Sequence, residues 1–406
     1  MTTRNPRTIL DIHVLQTVPP SNLNRDDTGS PKSAFFGGVR RARVSSQSWK
    51  RATRSAFGEI LPAEELGVRT KKVAEALAER ILLQDKSLAE STAVALAAEV
   101  LKAATGSAIE APTRGRSKAG EADAASASPV SKYLMFLSVR QLDALAALAL
   151  EGSGGGDLAV LKDHLKDKNT KARARQAVDT RHSVDIALFG RMVADSADLN
   201  VDAATQVAHA LSVHRADIES DYFTAVDDRN REDESGAGMI GSIDFNSATL
   251  YRYASVDVDA LQRNLGLGLR EDEEPSTPAA RAAAAFLQAF VTSLPTGKIN
   301  TFGNHTLPSA VIVKVRDRWP VSFVGAFEKP VAKVSEGGFL QGACEELAEF
   351  VEDLEQQYGL TSGDPCWVVR VGEDTRALAP LGTRVPLATM LTQVQETLAA
   401  RLGGRA

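Results

Sequence analysis

Apolar and polar residues alternate along several short stretches of the chain. In "TILDIHVL", residues 8–15, Leu10, Ile12 and Val14 fall on one side, and Asp11 and His13 fall on the other. A period of two residues is typical of a strand with one buried face, so we predict a half-buried strand here. Similar patterns predict strands in "VRRARVS", "HSVDIALFGRMV", "SIDFNSATLYRYASVDV" and "SAVIVKVRD".

Between these stretches the spacing of apolar residues changes to that of a helix. Residues 62–104 repeat Ala and Leu at helical spacing, and a serine in capping position predicts another helix from about Ser46. Further helices are predicted at 132–150, 277–292, 341–357 and 387–402, and a loop at 16–33, which is rich in turn residues. The pattern indicates a mixed α/β body interrupted by a mostly helical insertion.

Composition narrows the class of protein. The chain has 406 residues, and 43% of them are hydrophobic, which is enough for a sizeable core. Its apolar stretches are shorter than a membrane span, and its N-terminal residues lack a signal-peptide pattern, so we expect a cytoplasmic protein that contacts no membrane. Cys344 and Cys366 are too few for a disulfide framework and lack zinc-site spacing. We expect reduced thiols and no cofactor or metal.

One segment is strongly basic, although the formal net charge of the chain is −5. Residues 37–54 contain six Lys and Arg, and residues 28–58 contain seven without a single Asp or Glu. In a helix from Ser46, positions i, i+3, i+4 and i+7 share one face. That face would carry Gln47, Lys50, Arg51 and Arg54, and the opposite, anchoring face would carry Trp49, Ala52, Thr53 and Ala56.

The start of this helix adds to the basic character of the segment. Free N–H groups at Ser45 and Ser46 and the positive end of the helix dipole both favour phosphate. In the preceding strand we expect Arg41 and Arg43 to point the same way. A solvated basic face is the alternative. Because no acidic residue nearby neutralises these charges, we favour a phosphate-binding surface that binds a nucleic-acid backbone irrespective of its sequence.

Acidic pairs are the main sign of possible catalysis. Asp26 and Asp27, with Asp227 and Asp228 later in the chain, could chelate magnesium. However, "RDDTGSP" is typical of a turn in which Asp caps backbone N–H groups, and "DDRNREDE" is typical of a solvated loop. The sequence contains no HExxH, P-loop or GxSxG motif. We therefore expect a protein that is not an enzyme.

Several motifs together carry a resemblance to a known family. "DIHVLQTVPPSNLNRDD", "FFGGVRRARVSSQSWKRATR", "VDIALFGRM" and "DYFTAVDD" resemble, in order and spacing, the Cas-seven (CasC) family, the backbone subunit of the type I-E CRISPR complex Cascade. The resemblance implies an α+β fold with an RRM-like (ferredoxin-like) palm, a helical fingers insertion and a thumb β-hairpin. Its parts would be the palm at 1–60, 181–215 and 243–406, the fingers at 61–180 and the thumb at 216–242.

The resemblance also implies site residues and partners. Several copies would polymerise along one guide (crRNA), and each thumb would displace a nucleotide of its neighbour's RNA at fixed spacing. Other Cascade subunits, target DNA and a recruited nuclease-helicase would be further partners. The implied phosphate ligands are Arg25, Lys32, Ser45, Gln47, Lys50 and Arg54; Met192 would wedge against bases, and the thumb would contribute Tyr222, Phe223 and Thr224.

Other interpretations stay open at this point. Tyr222 and Phe223 could be core aromatics, although their neighbours are polar, and Met192 alone would be assigned to a core. The runner-up function is a metal-dependent, RNA-cleaving backbone subunit of the same superfamily, as in type III complexes. A third possibility is a single-copy RNA-binding regulator unconnected to CRISPR.

Overall fold

Fourteen strands and twelve α-helices occur in the part of the chain that the computed structural model describes, which is residues 7–107, 109–110, 129–193, 196–225, 239–266, 274, 276–332, 338–360 and 363–404. Asp227 and Asp228 lie outside these residues. The strands are β1 Ile9–Ser21, β2 Ser33–Phe36, β3 Val39–Val44, β4 Gly67–Thr70, β5 Ile109–Glu110, β6 Val130–Ser131, β7 Met135–Ser138, β8 Thr205–Val207, β9 Ala210–Ser212, β10 Glu219–Ala225, β11 Met239–Asp257, β12 Ala310–Arg316, β13 Cys366–Arg370 and β14 Thr383–Arg384.

The helices fall close to most of the predicted positions. They are α1 Ser46–Ile60, α2 Val73–Gln84, α3 Glu90–Thr105, α4 Val139–Ser153, α5 Leu158–His164, α6 Lys168–Asp179, α7 Val184–Phe189, α8 Val258–Leu265, α9 Thr277–Thr292, α10 Ile299–Phe302, α11 Leu340–Tyr358 and α12 Leu387–Gly403. Among the described residues no single helix has the length and apolar character needed to cross a membrane. Helices α4 and α5 have that length and apolar character only when taken together, and the pair is bent by 106°.

The chain divides into two compact units. The first, here called the sheet unit, comprises Met1–Phe57, Thr205–Val258 and Ala283–Ala406, and the second, the helical unit, comprises Gly58–Ala204 and Asp259–Ala282. The predicted insertion at 61–180 lies inside the helical unit. That unit also takes in residues 181–204, which the resemblance assigns to the palm.

The sheet unit contains a ten-stranded sheet with a ferredoxin-like centre. β1 lies between β11 and β12 and is antiparallel to both, and β11 pairs in turn with β9. The resulting order, β12-β1-β11-β9, is that of a βαββαβ unit whose helices are α1, after the first strand, and α9, after the third. The predicted α+β fold class is confirmed.

β1 is buried on both faces, whereas the alternating pattern predicted one exposed face. Asp11 and His13 are 0% and 1% exposed. The Asp11 carboxylate accepts hydrogen bonds from Arg316 at 2.7 Å and Tyr253 at 2.9 Å, and the His13 ring stacks on Phe323 at 4.0 Å between centroids. Asp11 is therefore paired inside the core, and the His13 ring is packed against an aromatic ring with its Nδ1 2.9 Å from the Tyr251 hydroxyl. Burial raises the pKa of Asp11 to about 6 and holds the pKa of His13 well below its usual range.

Two other sequence expectations are wrong in detail. "HSVDIALF" forms the short helix α7 and not a strand, because a short apolar run does not distinguish the two by periodicity. The loop predicted from residue 16 begins later in the structure, because β1 continues through Pro19 and Pro20 to Ser21. Its register with β11 shifts between Val18 and Ser21, which accommodates two residues that cannot donate to the ladder.

The helical unit has its own core of small and aliphatic side chains. Buried Ala and Leu residues of α2, α3 and α4 pack together with Ala174 and Val178 of α6. The helix predicted at 132–150 is instead strand β7 followed by α4, which begins with a capping box between Ser138 and Gln141. The Ala/Leu periodicity thus predicts the helical character of this unit correctly but not every helix boundary.

Candidate nucleic-acid interface

Helix α1 is anchored to the sheet unit by one face. Trp49 and Phe57 are 0% exposed, and Thr53 is also buried. The guanidinium carbon of Arg252, on β11, lies 3.7 Å from the centroid of the Trp49 ring and 4.5 Å from that of Phe290, on α9. Arg252 also donates to Gln16 Oε1 at 2.6 Å and to the carbonyl of Phe290. This cation–π sandwich fixes the buried face of α1, as the helical pattern predicted.

The remaining surface of α1 is basic. Gln47 and Arg51 are exposed, and Lys50 and Arg54 are half-buried. Lys50 and Arg51 form no ion pair with any described residue. We call the side that carries Gln47, Lys50, Arg51 and Arg54 the basic face of α1. It presents three cations and an amide, which are donors suited to phosphate oxygens.

The first turn of α1 is fixed by a cap that the sequence predicted only in part. Ser45 is 5% exposed, and its hydroxyl accepts from the backbone N–H of Ser48 at 3.3 Å. The backbone N–H of Ser45 donates to Asn24 Oδ1 at 2.9 Å, which ties α1 to the preceding loop. Ser45 therefore positions the helix by accepting in this cap, and its hydroxyl proton is donated to Ser48 Oγ at 3.3 Å, a bond that a phosphate oxygen could replace.

His209 is a residue at this site that the sequence analysis did not identify. Its Nδ1 lies 3.3 Å from the backbone nitrogen of Ser46 and 3.3 Å from Arg43 Nη1. Burial, together with the nearby Arg43 and Lys32, lowers the pKa of the imidazole, so His209 is neutral at pH 7 and can accept from Ser46 N–H. Spacing in the sequence contains no sign of this pairing, because it depends on β9 lying beside β3.

Arg41 does not lie on the basic surface, in contrast to the sequence expectation that it points the same way as Arg43. It is 0% exposed, and its guanidinium donates to the carbonyls of Phe36, Ser212, Phe327 and Glu328 at 2.8–3.1 Å. All of these acceptors are backbone groups, so the charge is solvated by protein dipoles. Arg43 is half-buried and keeps one Nη beside His209. Arg41 is therefore a structural residue, and its assignment to phosphate is corrected.

The loop between β1 and β2 carries Arg25 and Lys32. Asp26 Oδ1 accepts from the backbone nitrogens of Thr28 and Ser30 at 2.9 and 3.1 Å, and from the Thr28 hydroxyl at 2.7 Å, an arrangement that lowers the pKa of Asp26. This is the turn that the sequence predicted. No group of three or more His, Cys, Asp or Glu suited to a metal ion occurs among the described residues.

The predicted thumb is a hairpin of β10 and β11. Tyr222 pairs with Ser242, Phe223 with Gly241 and Thr224 with Ile240. Because side chains alternate along a strand, Tyr222 and Phe223 lie on opposite faces of the hairpin. Tyr222 is 63% exposed, and the half-buried Phe223 ring covers Gly241, where an added Cβ would lie 2.4 Å from it. Neither is a deep core residue, which removes the alternative kept open above.

Two polar side chains hold the base of the hairpin against the loop between β1 and β2. The carboxylate of Asp244 accepts from Ser220 Oγ, in β10, at 2.6 Å and from Ser30 Oγ, in the loop. Asn22, which is 1% exposed, donates to the carbonyls of Gly29 and Asp244 at 2.9 and 2.8 Å. The loop with Arg25 and the hairpin with Phe223 are therefore joined by the hydrogen bonds of Asp244 and Asn22.

Met192 belongs to the helical unit and is 81% exposed. Its neighbour Arg191 is buried and donates to the carbonyls of Leu199 and Val178 at 2.7–2.9 Å, which fixes the backbone at this point. A core role for Met192 is thus excluded. An exposed methionine next to an anchored residue is suited to an apolar contact with a partner.

A ferredoxin-like sheet with an inserted helical unit, a projecting hairpin and a basic helix defines an α+β protein built to contact nucleic acid. The family model described as "CT1975-like protein" matches residues 10–393. The chain belongs to this family.

Solved structures agree with this family assignment. The chain is similar to one from a "CRISPR RNA-guided surveillance complex, pre-nicking", with a TM-score of 0.76 and 34% identity over 95% of this chain and 100% of that one. It is also similar to a chain from a "CRISPR RNA-guided surveillance complex", with a TM-score of 0.67 and 31% identity over 95% and 99%. No curated protein matches the sequence. The resemblance to the backbone family is confirmed, and the type I-E subtype stays a prediction.

We expect the substitution Arg41→Met to lower stability and Arg43→Met to leave it almost unchanged. Arg41→Met leaves four carbonyls without their donor, at a cost of roughly 2 kcal/mol or more, whereas Arg43 is half-buried. Thermal unfolding and RNA affinity should be measured for both variants. An Arg41→Met protein that melts like the wild type but binds RNA more weakly would restore Arg41 to the phosphate ligands.

Proposed function

We propose that this chain is the guide-RNA-binding backbone subunit of a Cascade-like CRISPR surveillance ribonucleoprotein of type I-E, acting in antiviral defence in the cytoplasm. Its partners are the guide RNA, further copies of itself along that RNA, other Cascade subunits and the target DNA. A nuclease-helicase is recruited through the assembled complex. The similarity to chains of two surveillance complexes supports the class of assembly.

The observation that carries the proposal is the basic face of α1. A helix anchored by Trp49 and Arg252 presents Lys50 and Arg54 from a stretch of 31 residues, 28–58, that contains no acid. Phosphate contacts carry no sequence information, so a basic face of this kind can bind guides of any sequence. Specificity then comes from base pairing between guide and target, as RNA-guided recognition requires.

The role of the basic face of α1 can be tested by removing its charges. Each lost phosphate contact reduces the log–log dependence of single-strand affinity on salt by about 0.7 of a unit. We expect Lys50→Gln with Arg54→Gln to weaken binding of two guides of unrelated sequence equally and to reduce the slope for both. Affinity should be measured between 50 and 300 mM salt, roughly the range over which such contacts are lost.

The matched control removes two exposed cations elsewhere in the sheet unit, Arg376→Gln with Arg384→Gln. It should leave the salt dependence unchanged. If the Lys50/Arg54 variant and this control show the same RNA affinity and salt dependence, the basic face of α1 is only a solvated face. The proposal then loses its main support.

The hairpin is the element that we assign to the neighbouring copy's RNA. Phe223 is accessible on one face while Tyr222 and Thr224 occupy the other, so the hairpin can contact two surfaces at once. Stacking of a base on an aromatic ring is worth roughly 1–3 kcal/mol. With several copies on one guide, this contact would displace one nucleotide per copy.

We expect Phe223→Leu to abolish a periodic reactivity of the bound guide toward chemical probes of unstacked nucleotides. Leucine still covers Gly241 but offers no ring for stacking, so the hairpin keeps its cover. Tyr222→Phe, which keeps a ring on the other face, is the control and should retain the period. An aperiodic pattern with the wild-type chain would contradict the assignment of the hairpin as a thumb.

We further propose that the chain is a scaffold and not a nuclease. Asp26 Oδ1 accepts three hydrogen bonds within its own turn, which gives this carboxylate a structural role that needs no metal. Complementary RNA and DNA, incubated with the assembled complex in Mg²⁺ or Mn²⁺, should be bound and left whole. Regularly spaced cuts in the RNA that disappear in Asp26→Ala or Asp27→Ala would favour the metal-dependent, RNA-cleaving alternative.

A further inference from the structure

The contacts of His209, which directly precedes β9, fix the ring nitrogen that carries its proton. Its Nδ1 lies 3.3 Å from the backbone nitrogen of Ser46 and 3.3 Å from Nη1 of Arg43. Both of these groups donate hydrogen bonds and neither can accept one, so Nδ1 is the unprotonated, accepting nitrogen. The single proton of the neutral ring is therefore on Nε2, which is a donor.

The neutral ring is the favoured form at this place. An imidazolium would carry a second N–H, on Nδ1, directed at the two donors that Nδ1 already faces. Desolvation by burial lowers the pKa of His209, and the charges of Arg43, on β3, and Lys32, just before β2, lower it further. The third neighbour, α1, presents the positive end of its dipole. All three neighbours belong to residues 28–58, which contain no acid.

The outer nitrogen of the ring has no hydrogen-bond partner among the residues that the structure describes. The His209 side chain is exposed. His214, in contrast, is 5% exposed and uses both ring nitrogens: Nδ1 lies 2.7 Å from the carbonyl of Arg215, and Nε2 accepts from the backbone of Thr249 at 3.2 Å. His209 is thus held through Nδ1 and presents an Nε2–H to whatever lies against this surface.

The groups around this donor are suited to an anion. Lys32 and Arg43 are close enough to influence the ring, and neither forms an ion pair with a carboxylate of the described residues. The first turn of α1 adds the positive end of a helix of 15 residues. An uncharged N–H beside two unpaired cations can bind one phosphate oxygen while the cations balance its charge.

We propose that the Nε2–H of His209 donates a hydrogen bond to a phosphate oxygen of the bound guide, beside Arg43. This inference rests on the proposed function and adds to it a neutral ligand that the resemblance does not imply. The same ring positions Arg43 and the first turn of α1 through Nδ1. A neutral donor contributes affinity without releasing a counterion, so salt dependence distinguishes it from the lysine and arginine ligands.

The experiment separates the two ring nitrogens. The amide of asparagine reaches the position of Nδ1 but not that of Nε2, so His209→Asn keeps an acceptor for Ser46 and Arg43 and removes the outer donor. The longer side chain in His209→Gln keeps a donor near Nε2 and withdraws the acceptor. His305→Asn, at an exposed histidine of the same unit, is the matched control. Guide RNA binding is measured against salt for each protein, and thermal unfolding checks the fold.

We expect His209→Asn to bind guide about tenfold more weakly, which corresponds to the loss of one hydrogen bond to a charged group. Its log–log salt slope and its melting temperature should equal those of the wild type. His209→Gln should keep more of the affinity than His209→Asn, and His305→Asn should bind like the wild type. The difference between wild type and His209→Asn should be the same at about pH 7 and pH 8, because the ring is neutral at both.

Two results would reduce His209 to a structural residue: a His209→Asn protein that binds like the control, or a His209→Gln protein that binds no better than His209→Asn. In the second case the loss of positioning through Nδ1 would account for the effect. A reduced salt slope in His209→Asn, or a difference that disappears at the higher pH, would indicate a charged ring and contradict the neutral donor. A wild-type chain that binds no guide would contradict the proposed function itself, and this result is recognised before any variant is compared.

Discussion

The position of α1 depends on one buried cation, Arg252. Its guanidinium lies between the rings of Trp49 and Phe290 and donates to Gln16, so it joins α1, α9 and two central strands at a single point. Burial lowers the pKa of Arg252 to about 9, which leaves it charged at neutral pH. A buried cation without these partners would be strongly destabilising. The sandwich therefore selects one placement of the basic helix over any other.

The basic surface of α1 follows from this placement. Since the apolar face of the helix is fixed against the sheet, Gln47, Lys50, Arg51 and Arg54 are presented together on the remaining surface. The cations are fixed by the fold, and cations of this kind suit phosphates, which is what the proposed function needs for an RNA partner that varies in sequence. Asp244 accepts hydrogen bonds from both the hairpin and the loop with Arg25, so these two elements, which we assign to RNA, are connected directly.

Much of this could be predicted from the sequence, for local reasons. The helical spacing around Trp49 identified the buried face, and the turn around Asp26 follows from its residue types. What failed depended on distant neighbours. Arg41 looks like Arg43 in the sequence, and only the carbonyls of β9 and of residues 327–328 distinguish them. His209 joins the site through the pairing of β9 with β3, which no local pattern indicates.

The central claim is that several copies of this chain assemble on one guide through backbone contacts. It is tested most directly by measuring the mass of the complexes formed on guide RNAs of increasing length and unrelated sequence. The account predicts that the number of chains per RNA rises in whole steps with length and does not depend on sequence. One chain per RNA at every length, or assembly on only one sequence, would contradict it and favour a single-copy regulator.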